Sequence, residues 1–264
     1  MEERNGGANS FPSAGQADPS AQIAAAAKAL IAAGYSPTHA YALWVGDTGW
    51  VCARTSAGGG SALLFFSAPI LAVEYSKVMQ IDAGLRQIDV SKFPEIATHA
   101  EARGATGFIL NRCPRCDEAM LVPLESLKTI ENVRAIWALN GAMRNWRLSQ
   151  AANTAFTNAR HGKISEIVPP LSYARDHVDA SSPLLHYLLA LASLSELPGA
   201  GASLLAESRE ALVSIGRPDL VKTMKTGMKE ATAELLLLLY QASQGNWTPP
   251  ASEAPGRRRR AAPL

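Results

Sequence analysis

The sequence predicts an α+β protein in two parts, a small α/β part with a mostly β-sheet core flanked by helices, followed by an all-helical part. Between Tyr41 and Leu124, short apolar runs of β type alternate with helix-like segments, as in layered α/β folds. From Thr129 onward we find no further strand-type run. We therefore expect a disordered tail over 1–20, an α/β domain over 21–128, a helical domain over 129–246 and a disordered basic tail over 247–264.

The composition is that of a globular protein. The chain has 264 residues, of which 47% are hydrophobic and 18% charged, and its net charge is only +2. Three cysteines do not suggest a disulfide framework and suit a reducing compartment, so we expect a cytoplasmic protein. The most apolar run, Leu235 to Tyr240, is far shorter than the roughly 20 residues that a membrane span needs. We therefore expect no membrane span.

Glycine, proline and apolar periodicity predict the elements of the α/β part. Ser20 precedes an alanine-rich helix that ends at Gly34, where glycine suits the left-handed position after a helix. The run 62–66 is apolar throughout, which predicts a strand buried on both faces. The predicted order is helix 21–33, hairpin 41–45 with 50–53, strand 62–66, helix 69–79, strand 85–90, helix 92–103, and a hairpin of 107–110 with 119–124.

The turn of the last hairpin holds Cys113 and Cys116. Two thiolates at this spacing can converge on one tetrahedral zinc ion. A structural zinc site would need further ligands, and Cys52 is the remaining cysteine, with His99 and Asp117 as the nearest other candidates. Alternatively, the same pair from a second subunit would complete the site and make a homodimer.

Two other interpretations of Cys113 and Cys116 stay open. The pair can be two reduced thiols at a turn, or a thioredoxin-type redox pair. The redox interpretation is opposed by Asp117 and Glu118, because negative charge beside a thiol disfavours the thiolate. Arg112 and Arg115 act in the other direction.

Two short motifs in the α/β part carry a resemblance to a known family. The run 64–72 takes a strand through Ser67 and Pro69 into a helix, and the run 104–111 is a glycine-containing strand that ends at Asn111. This order resembles the N-terminal domain of the SseB-like proteins, in which a Phe-Thr-Ser-Pro-like corner precedes a helix and a Gly-rich strand ends in Asn-Pro. Here Phe66 replaces the threonine, and an arginine replaces the proline. The resemblance covers residues 21–128 and implies a small α/β domain without catalytic residues.

Helical periodicity predicts the second part. We expect helices over 129–161, with an interruption at Asn140-Gly141, then over 170–178, 183–197 and 203–214, and a last and longest helix over 218–243. Their spacing predicts a core containing Leu188, Leu191, Leu235, Leu236 and Leu239. Trp137 and Trp146 lie nine residues apart, which predicts core packing or a domain interface.

Two charged stretches are weaker candidates. The five histidines form no metal-binding pair by spacing, and the stretch Arg175 to Asp179 is typical of a solvated helix end. The run Arg257, Arg258, Arg259 and Arg260 would contact phosphates of nucleic acid or lipid in a weak, salt-sensitive way.

These patterns favour a non-enzymatic binding or adaptor protein that contacts a protein partner through its helical half. One alternative is a thiol-redox or metal-dependent enzyme centred on Cys113 and Cys116. Another is a nucleic-acid-binding protein that uses the cysteine pair as a zinc knuckle together with the arginine tail.

Overall fold

The computed structural model describes residues 18–46, 49–54, 60–115, 120–195 and 201–250. It has the predicted α+β class, with strands in the first half and helices in the second. The elements of the first half are α1 (Pro19–Ala32), β1 (His39–Val45), β2 (Gly49–Trp50), β3 (Cys52–Arg54), β4 (Ser61–Phe65), α2 (Pro69–Val78), β5 (Gly84–Asp89), α3 (Phe93–Glu101), β6 (Ala105–Leu110) and β7 (Leu121–Pro123).

The strands form two sheets that meet at one point. One sheet has the order β2-β1-β5 and the other the order β3-β4-β6-β7, and only the β4–β6 pair is parallel. Tyr41 and Phe66 exchange two backbone hydrogen bonds of 2.8 Å, which join β1 to the end of β4. The hairpin of β6 and β7 is confirmed, with Phe108 opposite Val122.

In the first predicted hairpin, of 41–45 with 50–53, only the start of the second strand pairs as predicted. Trp50 pairs with Trp44 of β1, but Cys52 pairs with Leu63 of β4. The chain therefore passes from one sheet to the other at Val51. The strand β4 is apolar and needs a neighbour on each side, and the segment after Val51 supplies one of them.

Successive side chains of β4 enter two different cores, since neighbouring residues of a strand point to opposite faces. Phe65 packs with Phe93, Phe108 and Trp137 on the face covered by α3 and the following helix, while Phe66 packs under α2. Both phenylalanines are fully buried. This arrangement confirms that the strand is buried on both faces.

The second half is helical. Its elements are α4 (Ile130–Arg160), α5 (Val168–His177), α6 (Pro183–Ser195), α7 (Ala202–Ser214), α8 (Pro218–Thr223) and α9 (Met228–Ser243). In the described residues after Thr129 we find no strand. Three short 3-10 turns cover Val90–Lys92, Leu124–Leu127 and Ile164–Glu166.

Two predictions about helix continuity were wrong. Asn140-Gly141 does not interrupt α4, which runs for 31 residues, because the Asn140 side chain is hydrogen-bonded elsewhere and Gly141 faces α1. The predicted last helix is instead two helices, because the backbone of Met224 is extended and Gly227 precedes the next helix. The longest helix is thus α4 rather than the last one.

The helical core contains most of the predicted leucines. Leu188, Leu191, Leu235 and Leu239 are fully buried, whereas Leu236 is only partly buried. The centre of this core is α6, which is buried over ten consecutive residues from Leu184 to Ser193.

α4 belongs to both cores. Val133 and Trp137 of its first half pack into the sheet core, while Leu148 and Ala152 of its second half pack into the helical core. The predicted boundary at 128–129 coincides with the start of this helix at its N-cap, Thr129. One helix is therefore shared by the two parts of the chain.

Residues 18–20 and 247–250 of the predicted tails are described by the structure, and the rest of both predicted tails lies outside the described residues. α1 begins at Pro19 with Asp18 as its N-cap. Trp247 packs against the helical core, and its indole nitrogen donates to Ser149 at 3.1 Å. Among the described residues, no helix combines the length and apolar character that crossing a membrane requires.

Candidate functional site

A groove lies where the end of β6, the middle of α4 and the end of α5 come together. It consists of two adjoining cavities that share Arg147, His177 and Val178. We call the larger one, of about 730 Å³, the outer cavity, the other, of about 500 Å³, the inner cavity, and both together the junction groove. One face of α4 forms its floor, at the spacing expected for a helix face: Asn140, Met143, Arg144, Arg147, Gln150, Ala151 and Thr154.

Asn111 fixes the geometry of the groove at its inner end. Its side-chain oxygen accepts a hydrogen bond from the Ser67 backbone at 2.7 Å, and its side-chain nitrogen donates to Ser67 Oγ at 2.9 Å and to Asn140 Oδ1 at 2.8 Å. The backbone of Asn111 has a φ of 54°, a left-handed conformation that asparagine tolerates better than most residues. Asn111 therefore ties the ends of β4 and β6 to α4.

The walls of the groove are rich in arginine. Arg112, Arg144 and Arg147 line the inner cavity, and Arg115 and Arg147 line the outer cavity. Among the described residues that line either cavity there is no carboxylate. Four arginines therefore line the groove, and two of them, Arg115 and Arg144, are paired with carboxylates beside it.

Arg144 is held in place at the inner cavity. One guanidinium nitrogen lies 3.5 Å from a carboxylate oxygen of Asp179, a residue only 5% exposed. The Nε atom is buried and has no hydrogen-bond partner among the described residues. A buried donor without a partner costs free energy.

Ion pairs beside the groove hold its flank together. Arg115 lies 3.3 Å from Glu74 of α2 and 3.4 Å from Asp176 of α5, and Arg175 lies 2.8 Å from Asp176. Burial raises the pKa of Glu74, and the nearby Arg115 guanidinium opposes that rise. These groups are partly exposed, so each pair contributes little to stability by itself, but together they orient Arg115 toward the outer cavity.

Aromatic side chains line the outer cavity. Tyr173 is 63% exposed, which is the largest exposure of any large hydrophobic residue that the structure describes. Its ring stacks on His177 with a centroid distance of 4.3 Å and an interplanar angle of 28°. Trp146 lies half-buried in the same cavity. The outer cavity therefore combines flat aromatic surfaces with two arginines.

The structure separates two of the predicted metal ligands. Cys113 is half-buried and lines the inner cavity, where its sulfur lies 3.7 Å from the Asp176 carbonyl oxygen. Cys52 is exposed on β3 and lines another cavity together with His99. Burial raises the pKa of the Cys52 thiol.

No group of three or more His, Cys, Asp or Glu side chains in the described part of the chain is arranged to hold a metal ion. Cys116 and Asp117 lie outside the described residues, as do Arg257, Arg258, Arg259 and Arg260. The zinc site, the redox pair and the anion contact of the tail therefore stay predictions.

Sequence reasoning found one end of this site and missed most of the rest. Asn111 and Cys113 were singled out, but Arg144, Arg147 and Tyr173 were not. The stretch Arg175 to Asp179 is not a solvated helix end, since Asp179 is buried and the others are partly buried. The available signal was the polar series Asn140, Arg144, Arg147, Gln150 and Thr154, which repeats at three- and four-residue spacing in α4.

The two tryptophans of α4 have different environments. Trp137 is 2% exposed and packs in the sheet core, as core packing predicts. Trp146 is half-buried and lines the outer cavity. Nine residues are two and a half helical turns, so the two side chains lie on opposite sides of α4.

No known protein family, no curated protein and no solved structure matches the chain. The resemblance to the SseB-like proteins therefore stays a prediction. What the protein does has to be argued from the site itself.

Proposed function

We propose that the protein is a non-enzymatic adaptor that binds a partner protein, and that an acidic segment of the partner lies in the junction groove. The observation that carries this proposal is the charge of the groove, where four arginines line two adjoining cavities without a carboxylate among the described lining residues. Arginine binds carboxylates through paired, charge-assisted hydrogen bonds. An acidic partner is therefore the complementary one.

The length of the groove suits a short peptide segment. Along α4 it extends from Asn140 to Thr154, which is about 21 Å of helix at the standard rise per residue. An extended chain covers that distance with about six residues. The ties from Asn111 to Ser67 and Asn140 fix the inner end before binding, which lowers the ordering cost of association.

A peptide fits this surface better than a nucleic acid does. Glu74, Asp176 and Asp179 lie in a narrow cleft that borders the inner cavity, and carboxylates beside the groove disfavour a continuous phosphate backbone. A peptide can place its acidic side chains at the arginines only. The moderate charge of the chain, +2 with a pI near 8.5, also differs from the strongly basic domains that bind nucleic acids.

The test is a titration of the full chain into a dye-labelled peptide of eight residues, six of them glutamate, followed by fluorescence anisotropy. Arg144→Gln and Arg147→Gln each remove one groove cation, so we expect each to weaken binding about tenfold. Arg160→Gln is the matched control, because it removes an exposed arginine of the same helix outside the groove, and we expect less than a twofold change.

Three results would contradict the proposal. The first is the absence of binding, and the second is an equal affinity for a lysine peptide of the same length. The third is an equal loss of affinity in Arg144→Gln, Arg147→Gln and Arg160→Gln. Tighter binding of a single-stranded RNA of matched charge would replace the protein partner by a nucleic acid.

A structural zinc ion remains part of the proposal. Bound by Cys113 and Cys116, it would hold the loop that brings Arg112 and Arg115 to the groove. Metal analysis of protein purified without added metal tests this, with bound zinc expected in the unmodified chain and lost in Cys113→Ser. Metal-free protein with freely titratable thiols would contradict it, and release of monomers by a chelator would indicate zinc shared by a homodimer.

A further inference from the structure

We propose that the outer cavity takes an aromatic side chain of the bound segment. This inference rests on the proposed function, because it specifies the peptide that the groove selects. The recognised motif is an aromatic residue next to an acidic one.

The walls of the outer cavity supply aromatic surfaces. Tyr173 and His177 present a stacked pair, and Trp146 lies across the same cavity. Aromatic rings prefer offset-stacked or edge-to-face contact with one another. A ring that enters the cavity can make such contacts on more than one side.

Part of the lining and the size of the cavity suit an apolar group. The small or compact apolar side chains in this lining are Ala151, Pro170, Ala174 and Val178. Its volume of about 730 Å³ falls within the range of cavities that hold small organic ligands. An aromatic side chain with part of its backbone can therefore be accommodated.

The position of the arginines places the acidic residue beside the aromatic one. Arg147 lines both cavities, so it lies where a peptide would pass from the inner to the outer cavity. Arg115, held by Glu74 and Asp176, lines the outer cavity on another side. Cations near an aromatic ring also attract its face, so the arginines favour both parts of the motif.

The experiment compares three acidic peptides of equal charge that differ at one central position, which is Phe, Ala or Leu. For the full-length protein we expect the Phe peptide to bind about tenfold more tightly than the Ala peptide, and more tightly than the Leu peptide. In Tyr173→Ser and in Trp146→Leu the Phe preference should fall below about threefold.

Tyr240→Ser is the control, because Tyr240 is also an exposed tyrosine, 52% accessible, but lies on α9. Tyr173 is itself exposed, so its replacement should not disturb folding. Equal binding of the Phe and Ala peptides, with both still dependent on Arg147, would overturn this inference and leave the proposed function standing.

Two further results would overturn the inference in other ways. If the Phe preference persists in both Tyr173→Ser and Trp146→Leu, the aromatic residue binds elsewhere. If the Leu peptide binds as tightly as the Phe peptide, the cavity selects apolar bulk and not an aromatic ring. Loss of arginine-dependent binding for all three peptides would instead reject the proposed function.

Discussion

At the scale of single residues, Asn111 links the sheet to the helical half. Its amide joins Ser67 at the end of β4 to Asn140 in α4 through three hydrogen bonds. Its positive φ is tolerated by asparagine and glycine but strained for alanine. Two substitutions can separate the effect of the hydrogen bonds from the effect of the backbone conformation.

We expect Asn111→Ala to lower the free energy of unfolding by about 2–4 kcal/mol, because it removes the hydrogen bonds and adds backbone strain. Asn111→Gly removes the same bonds but accepts the backbone conformation, so its loss should be about 1 kcal/mol smaller. Urea unfolding of the three proteins measures both effects. Equal stability of the alanine variant and the unmodified chain would show that this tie does not hold the fold.

His186 should make stability depend on pH. The residue is 5% exposed, its Nε2 lies 2.8 Å from the Ala180 carbonyl oxygen, and its Nδ1 has no partner among the described residues. Burial lowers the pKa of His186 below its usual 6.5, and the hydrogen bond to Ala180 acts against that shift. The folded state therefore binds fewer protons here than the unfolded state does.

Stability should fall as pH drops below about 6.5, since protonation is easier in the unfolded chain. In His186→Gln that part of the pH dependence should vanish, while the glutamine amide can still donate to Ala180. Urea unfolding at about pH 7.5 and pH 5 measures the difference. The same loss of stability in both proteins would mean that His186 is not responsible.

At the scale of elements, α4 organises the molecule, and its glycine offers a direct test of its continuity. Gly141 lies inside this helix, and a Cβ there would meet only Leu30 Cδ1 at an ordinary 4.0 Å. Gly141→Ala should therefore raise the free energy of unfolding by about 0.5–1 kcal/mol, through helix propensity.

The comparison for Gly141 is Gly162, which follows α4 and has a φ of +72°. Gly162→Ala should destabilise the protein because alanine is strained in that conformation. Thermal unfolding of the two variants should thus shift in opposite directions. A lower unfolding midpoint for Gly141→Ala would contradict this prediction, because it would mean that the added methyl group does not stabilise α4 at this position.

The run of five leucines in α9 shows why periodicity sometimes fails. A continuous apolar run contains no alternation, so leucines 235 to 239 cannot by themselves reveal the buried face. The flanking alanines do reveal it, because Ala231, Leu235, Leu238, Leu239 and Ala242 follow helical spacing and are all buried. Leu236 was therefore predicted in place of Leu238.

Leu235→Ala should lower the free energy of unfolding by about 2–5 kcal/mol, since Leu235 is fully buried and truncation leaves a cavity. Leu237→Ala, at a position 57% exposed in the same run, should change it by less than about 0.5 kcal/mol. Chemical denaturation separates the two. Similar losses in both variants would mean that α9 packs through a different face.

At the scale of the whole molecule, the sequence predicted local structure better than it predicted the site. The class, the strands and most helices followed from apolar runs and from proline and glycine at element ends. At Val51 the chain leaves the sheet of β1 for the sheet of β4, and α4 is shared between two cores. Both features depend on contacts between residues that are distant in the sequence. No local pattern contains those contacts.

The groove was hard to predict for the same reason. Most of its residues come from three segments, 111–115, 140–154 and 173–178, that are separated in the sequence and meet only after folding. Asn111 was noticed because of its motif, and Cys113 because Cys116 follows it three residues later. Tyr173 and Arg147 carry no local motif, and only the fold brings their side chains into the same cavity.

The most direct test of the account is a hydrogen-exchange footprint of the full chain with and without the acidic Phe peptide. We predict slower amide exchange in 111–115, in 140–154 and in 173–178 when the peptide is present, with little change in α7 and α9. A lysine peptide of the same length should leave all segments unchanged. Slower exchange confined to another surface, such as the edge strand β5, would contradict the assignment of the junction groove as the binding site.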